Sequence, residues 1–125
     1  MIEMQIPKVR NLNLLAKATK KRGLTLDVNK KSAQYWAGNK MQCDAVISCP
    51  GSKFEIAVKK DDKGEYAMFM DPMDSLLNSK AGKGCGLISQ AYQIEEHKKA
   101  ARNAGKEVIG CVVDSNGTIV LRVKA

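Results

Sequence analysis

Aromatic residues are scarce in this chain, at 5% of its 125 residues, and histidine occurs once. Methionine, valine, isoleucine and leucine must therefore fill the hydrophobic core. The sequence also lacks the clustered aromatic residues on which readers of single-stranded nucleic acid stack bases. It contains no C-x-x-C pair, and one histidine with cysteines at this spacing does not make a usual zinc site. We therefore expect neither a metal nor a cofactor.

Long apolar runs are also absent, and none approaches the ~18 residues that a membrane-spanning helix needs. The first residues include Glu3 and no apolar stretch of the kind found in secretory signals. These absences predict a cytoplasmic protein without a membrane partner. We expect the four cysteines to be reduced, and Cys85, in a glycine-rich segment, to be the most exposed of them.

Positive charge is in excess, because 21 lysine and arginine residues stand against 13 aspartate and glutamate residues. The formal net charge of +8 favours acidic partners, so we expect nucleic acid or an acidic protein. The alternative is that the charge only keeps the protein soluble.

Apolar and polar residues alternate through the middle of the sequence. The pattern begins at residues 41–49 and repeats at 54–58 and 66–70. A period of two places every second side chain on the same face of a strand, and short turns between such strands favour antiparallel pairing. The length is that of one domain, which we assign to residues 1–125.

Two amphipathic helices flank these strands. Asn11 can cap a helix that runs to about Arg22, and a second helix is predicted over residues 87–103. The order strand, helix, five strands, helix, two strands predicts an α+β fold, with a mainly antiparallel sheet of about six to eight strands and both helices on one face. The other face would be open or partly covered, with Tyr35 and Trp36 as candidate partner-binding residues.

Basic residues gather near the ends of both predicted helices. The negative end of a helix dipole favours each such cation by about 0.3–1 kcal/mol, which explains part of the clustering. If the helices lie side by side and parallel, the two clusters merge into one patch that can bind phosphates. We therefore predict a small, non-enzymatic protein that binds nucleic acid or another polyanion. Its candidate residues are Lys17, Lys20, Lys21, Arg22, Lys83, Lys98, Lys99 and Arg102.

A second hypothesis is a protein-interaction module, acting as an adaptor or a homodimer. It would use the open sheet face or an edge strand such as residues 119–123. Two amphipathic helices that share one face would leave the opposite face available for such contacts.

A third hypothesis places an anion-binding or catalytic site in the 71–86 segment. Asp71 and Asp74 lie three residues apart there, and Lys83 and Cys85 belong to a glycine-rich stretch before a helix. The stretch does not match the Walker pattern, and Asp74 also fits an ordinary helix cap. His97 lies among charged residues with no nucleophile motif beside it, so an enzyme is the less favoured interpretation.

One set of segments has a pattern seen in a known family: residues 6–23, 36–39, 43–47, 54–58, 66–71, Leu87, Gln90 and Tyr92, and 116–119. Together they resemble the hypothetical chloroplast reading frame thirty-five family, a cyanobacterial and plastid group with phage relatives. The opening residues 1–4 and the stretch 82–86 depart from the family pattern. The resemblance implies an α+β fold and, for a phage protein, the host cytoplasm, but it implies no established activity.

Overall fold

A computed structural model describes residues 4–35, 39–71, 74–82, 85–113 and 119–124. The described residues form nine strands and three helices. In chain order these are β1 (Met4–Val9), α1 (Leu12–Lys21), β2 (Thr25–Asp27), β3 (Ser32–Gln34), β4 (Lys40–Gln42), β5 (Ala45–Ser48), β6 (Ile56–Lys60), β7 (Tyr66–Met70), α2 (Ser75–Ala81), α3 (Gly86–Asn103), β8 (Glu107–Val113) and β9 (Ile119–Lys124). The predicted α+β fold is confirmed.

The strands form three antiparallel sheets of unequal size. Five strands make the main sheet in the order β1-β7-β6-β5-β2, whereas β3 pairs with β4 and β8 with β9 as separate two-stranded sheets. The predicted strand at 41–49 is divided because the chain leaves β4 at Cys43 and enters the main sheet after Asp44. Its carboxylate accepts a hydrogen bond from the Lys60 amide at 2.7 Å, which fixes this crossing point.

The main core lies between the five-stranded sheet and the helices. Side chains alternate along β5, β6 and β7, so that one set points to the helices, as the period of two predicted. Burial of this apolar surface holds α1 and α3 on one face of the sheet. The sheet contributes Ala45, Ile47, Ile56, Val58, Met68 and Met70, and the helices contribute Leu14, Leu15, Ala18, Leu77, Ile88, Ala91 and Tyr92.

A smaller core occupies the opposite face, where the β3–β4 hairpin packs on Val46 and Ala57. Tyr35 belongs to this core: it is 1% exposed, and its hydroxyl donates a hydrogen bond to the Phe69 carbonyl at 2.8 Å. The face expected to be open or partly covered is therefore covered here by the hairpin, and Tyr35 is a packing residue rather than an exposed partner contact. Trp36 lies outside the described residues.

Glu55 fastens the same hairpin to the main sheet. One carboxylate oxygen accepts a hydrogen bond from the Gln34 amide at 2.9 Å, and the other pairs with the Lys30 ammonium at 2.6 Å. The Glu55 amide in turn donates to the Gln34 carbonyl at 3.0 Å. A charge-assisted contact of this kind resists displacement of the hairpin from the sheet.

Tyr92 of α3 joins the start of α1 to the rest of the molecule. The Asn11 side chain caps α1 by accepting hydrogen bonds from the Asn13 and Leu14 amides. The Tyr92 hydroxyl accepts two more, from the amides of Arg10 at 2.9 Å and Asn11 at 3.1 Å. The start of α1 is thus held both by its own Asn11 cap and by a hydroxyl from a second helix.

Candidate functional site

The helices α1 and α3 pack against each other, and basic residues of both lie at their contact. The start of α1 contacts α3 at Tyr92, and the end of α1 contacts it further along, where Lys21 pairs with Glu95. Lys98 lies close enough to Lys21 and Glu95 for the charges to act on one another. Residues of the two basic clusters therefore come near each other at this point.

Lys17, Lys21 and Lys98 surround Glu95, and we call these four residues the cationic cluster. Glu95 is 5% exposed. Burial raises the pKa of its carboxyl, but the hydrogen bond from Lys21 and the charges of the three lysines outweigh burial and hold that pKa below its usual range. The carboxylate stays ionised at neutral pH and balances one of three positive charges.

The pKa values of Lys21 and Lys98 are shifted in opposite directions. The hydrogen bond to Glu95 is the main cause that raises the pKa of Lys21. The neighbouring Lys21 ammonium is the main cause that lowers the pKa of Lys98, and burial adds to the effect. Repulsion between these two cations is therefore not fully relieved within the cluster, and an additional anion beside Lys98 would be favoured.

The remaining basic residues of α1 turn away from α3. Arg22 donates from Nε to the Lys80 carbonyl at 3.0 Å, which brings together the C-terminal ends of α1 and α2. Lys20 lies on the other flank, along a shallow cleft between α1 and β2. Lys99 is exposed on α3, and Lys83 lies outside the described residues.

Lys80 and Glu95 are site residues that the sequence did not point out. Lys80 stands in the last turn of α2, a helix that the sequence suggested only weakly. Glu95 carried a stronger signal, because it follows Ile88, Ala91 and Tyr92 at helical spacing and so falls on the buried stripe of α3. A carboxylate on such a stripe needs a buried partner, here Lys21.

A groove of about 440 Å³ lies beside the cationic cluster, between the C-terminal half of α3 and strand β8. Lys98 and Arg102 form its α3 side, one helical turn apart. Residues 107–111 of β8 form the other side and include Glu107 and the partly exposed Cys111. The groove therefore combines two cations, one carboxylate and apolar side chains.

The described part of the 71–86 segment is occupied by structural contacts. Asp74 caps α2 by accepting from the Leu77 amide, and it also accepts from the Ser52 hydroxyl at 2.5 Å. Cys85 was expected to be exposed, but it is 0% exposed, and burial raises the pKa of its thiol to about 12. Its side chain fills the main core at the start of α3, so the sequence-based expectation for Cys85 was wrong.

The remaining sequence-based expectations concern metal binding, His97 and membrane crossing. No cluster of histidine, cysteine, aspartate or glutamate there has the makeup of a metal site. His97 is exposed on α3. Among the described helices, none is long and apolar enough to cross a membrane.

No protein-family model, curated protein or solved structure matches the chain. The resemblance to the chloroplast reading frame thirty-five family stays a prediction. Function is therefore inferred from the residues and geometry of the cationic cluster and of the groove beside it.

Proposed function

We propose that this protein is a non-enzymatic binding protein that holds nucleic acid through the cationic cluster and the basic residues around it. The observation that carries the proposal is the ion pair between Lys21 and the buried Glu95, with Lys98 and Lys17 close by, so that three cations share one counterion. Phosphate oxygens placed over these ammonium groups would relieve the repulsion between them.

The distribution of charge around the cluster supports an extended ligand rather than a single ion. Arg102 continues the basic surface along α3, one helical turn beyond Lys98, and Lys17 extends it on α1 beside Glu95. Lysine and arginine in such a row can neutralise successive phosphates, and the release of condensed counterions then drives binding. The formal net charge of +8 adds long-range attraction.

Fluorescence anisotropy with labelled duplex and single-stranded oligonucleotides tests this proposal across a salt series. If four phosphates are neutralised, the slope of log affinity against log salt should be about −3.6 for duplex. Between about 50 mM and 200 mM salt, affinity should then fall roughly 150-fold. An absence of binding at the lowest salt would exclude the proposal.

A matched pair of double variants locates the contact surface. Lys17→Gln with Lys98→Gln removes two charges from the cationic cluster, whereas Lys40→Gln with Lys63→Gln removes two exposed charges from β4 and the β6–β7 turn. The first pair should reduce the magnitude of the salt slope by about 1.8, and the second should leave it nearly unchanged. Equal effects of both pairs would mean that binding depends on net charge and not on this surface.

A further inference from the structure

Strand β8 has an edge that no other described strand covers. It pairs with β9 on one side only, in a two-stranded sheet separate from the five-stranded one. Along the other side of such a strand, every second backbone N–H and C=O points outward. These groups form a row of alternating donors and acceptors.

The groove beside α3 follows this edge. Five consecutive residues of β8, 107–111, line it. No described residue of β9 lines the groove, which therefore runs along the side of β8 that β9 leaves unpaired. Ile109 protrudes there because the register with β9 shifts between Val108 and Gly110, and it is 62% exposed.

The side chains around the edge are those that would receive an acidic, partly apolar chain. Lys98 and Arg102 stand on the α3 side, and Val108 and Ile109 offer apolar contact on the β8 side. Among the described residues that line the groove there is no aromatic ring on which a base could stack. A phosphate backbone also only accepts hydrogen bonds, whereas a peptide backbone can satisfy both donors and acceptors of the edge.

We propose that the groove binds an extended acidic segment of another polypeptide, which adds to the edge of β8 as a third strand. Its backbone pairs with β8, its acidic side chains contact Lys98 and Arg102, and its apolar side chains pack on Ile109. Strand addition of this kind draws affinity from backbone hydrogen bonds and specificity from alternate side chains. The site is centred on β8, whereas the proposed nucleic-acid surface is centred on Lys17 and Lys21; the two share Lys98 and Arg102.

The probe for the test is a fluorescein-labelled octapeptide in which glutamate and valine alternate, titrated with the full chain by anisotropy. A version of the same peptide, N-methylated at every amide, keeps the charges and removes the backbone donors. We expect N-methylation to weaken binding at least about tenfold, the equivalent of one or two net hydrogen bonds. Equal binding of both peptides would show charge attraction alone and would overturn the proposal.

Protein variants assign the contact to the groove. Arg102→Gln and Ile109→Ala should each weaken binding of the octapeptide several-fold, whereas Val120→Ala, an exposed position outside the groove lining, should not. In ¹⁵N spectra the amides of residues 107–111 should shift on titration. Shifts of these amides by an oligonucleotide but not by the octapeptide would assign the groove to nucleic acid. If the free protein is a dimer and Ile109→Ala makes it monomeric, the groove binds a second copy of this chain. Assignment of the groove to nucleic acid or to a second copy would overturn the proposal.

Discussion

Replacing Glu95 by glutamine should lower stability and strengthen polyanion binding at the same time. Glutamine keeps the shape of the side chain and an oxygen that can accept from Lys21, but it carries no charge. The substitution therefore removes the counterion of the cationic cluster without opening a cavity. Few other positions separate the two properties so clearly, because most destabilising changes also weaken binding.

The size of each effect follows from the surroundings of the pair. For unit charges ~3 Å apart, attraction is about 1.4 kcal/mol in a water-like medium and about 5 kcal/mol at an effective dielectric constant of 20. Glu95 is buried, but the Lys21 side chain is 49% exposed, so solvent screening places the loss near the lower limit. We expect Glu95→Gln to reduce the free energy of unfolding by about 1–2 kcal/mol.

The gain in binding comes from removing a repulsive charge next to the phosphates. A carboxylate ~6 Å from a phosphate in a water-like medium costs about 0.7 kcal/mol, which corresponds to roughly threefold in affinity. Urea unfolding and oligonucleotide anisotropy in the same low-salt buffer measure the two quantities. Weaker binding by the glutamine variant would refute the placement of Glu95 beneath the bound phosphates.

The pH dependence of stability provides an independent check of the same pair. The folded-state pKa of Glu95 lies below its ordinary 4.5, so its stabilisation is present above that value and is lost as the pH falls through the lower, folded pKa. The pKa of Lys21 lies above 10.5, so its stabilisation is present below that value and is lost as the pH rises through the raised pKa. The stability difference between wild type and Glu95→Gln should therefore shrink in acid. A difference that stayed constant in acid would contradict this electrostatic account.

Three other predictions concern the fold. Tyr92→Phe should reduce the free energy of unfolding by about 1–3 kcal/mol in urea titrations, because two amides at the start of α1 lose their acceptor. Gly82→Ala should cost more than about 2 kcal/mol, since a Cβ there would lie 2.6 Å from the Leu87 Cγ at a φ of +81°; Gly86→Ala, with nothing within 4 Å, is the control and should cost little. Alkylation of the native protein, followed by mass spectrometry, should label the partly exposed Cys43 and Cys111 much faster than the buried Cys49 and Cys85. Rapid labelling of Cys49 and Cys85 would contradict the packing.

Local signals predicted α1 and α3 well, α2 only weakly, and the layering of the strands less well. The Asn11 cap fixes the start of α1, so the sequence was sufficient there. Alternation at 41–49, in contrast, is the same whether the strand lies in the main sheet or in the hairpin beneath it. The break depends on the bond between Asp44 and the Lys60 amide, which joins residues distant in sequence.

The candidate site, like the fold, could be predicted from the sequence only in part. Clustering of lysines within each helix is visible in the sequence, but the meeting of Lys21 with Lys98 depends on how α1 packs against α3. Glycines around Cys85 suggested an exposed loop, whereas the residue adopts a left-handed backbone conformation with φ 59° at the start of α3 and points into the core. The groove beside β8 could not be predicted, because the free edge follows from which strands pair.

The hydroxyl of Tyr92 also determines when the first helix can be completed during translation. It accepts a hydrogen bond from the amide of Asn11, 81 residues earlier in the chain. Strand β1 likewise pairs with β7, which is synthesised later. At about 5–20 residues per second, the ribosome needs roughly 4–16 s to add that stretch. For this interval α1 keeps its own Asn11 cap but lacks the contact with Tyr92, so its apolar side has no α3 to pack against.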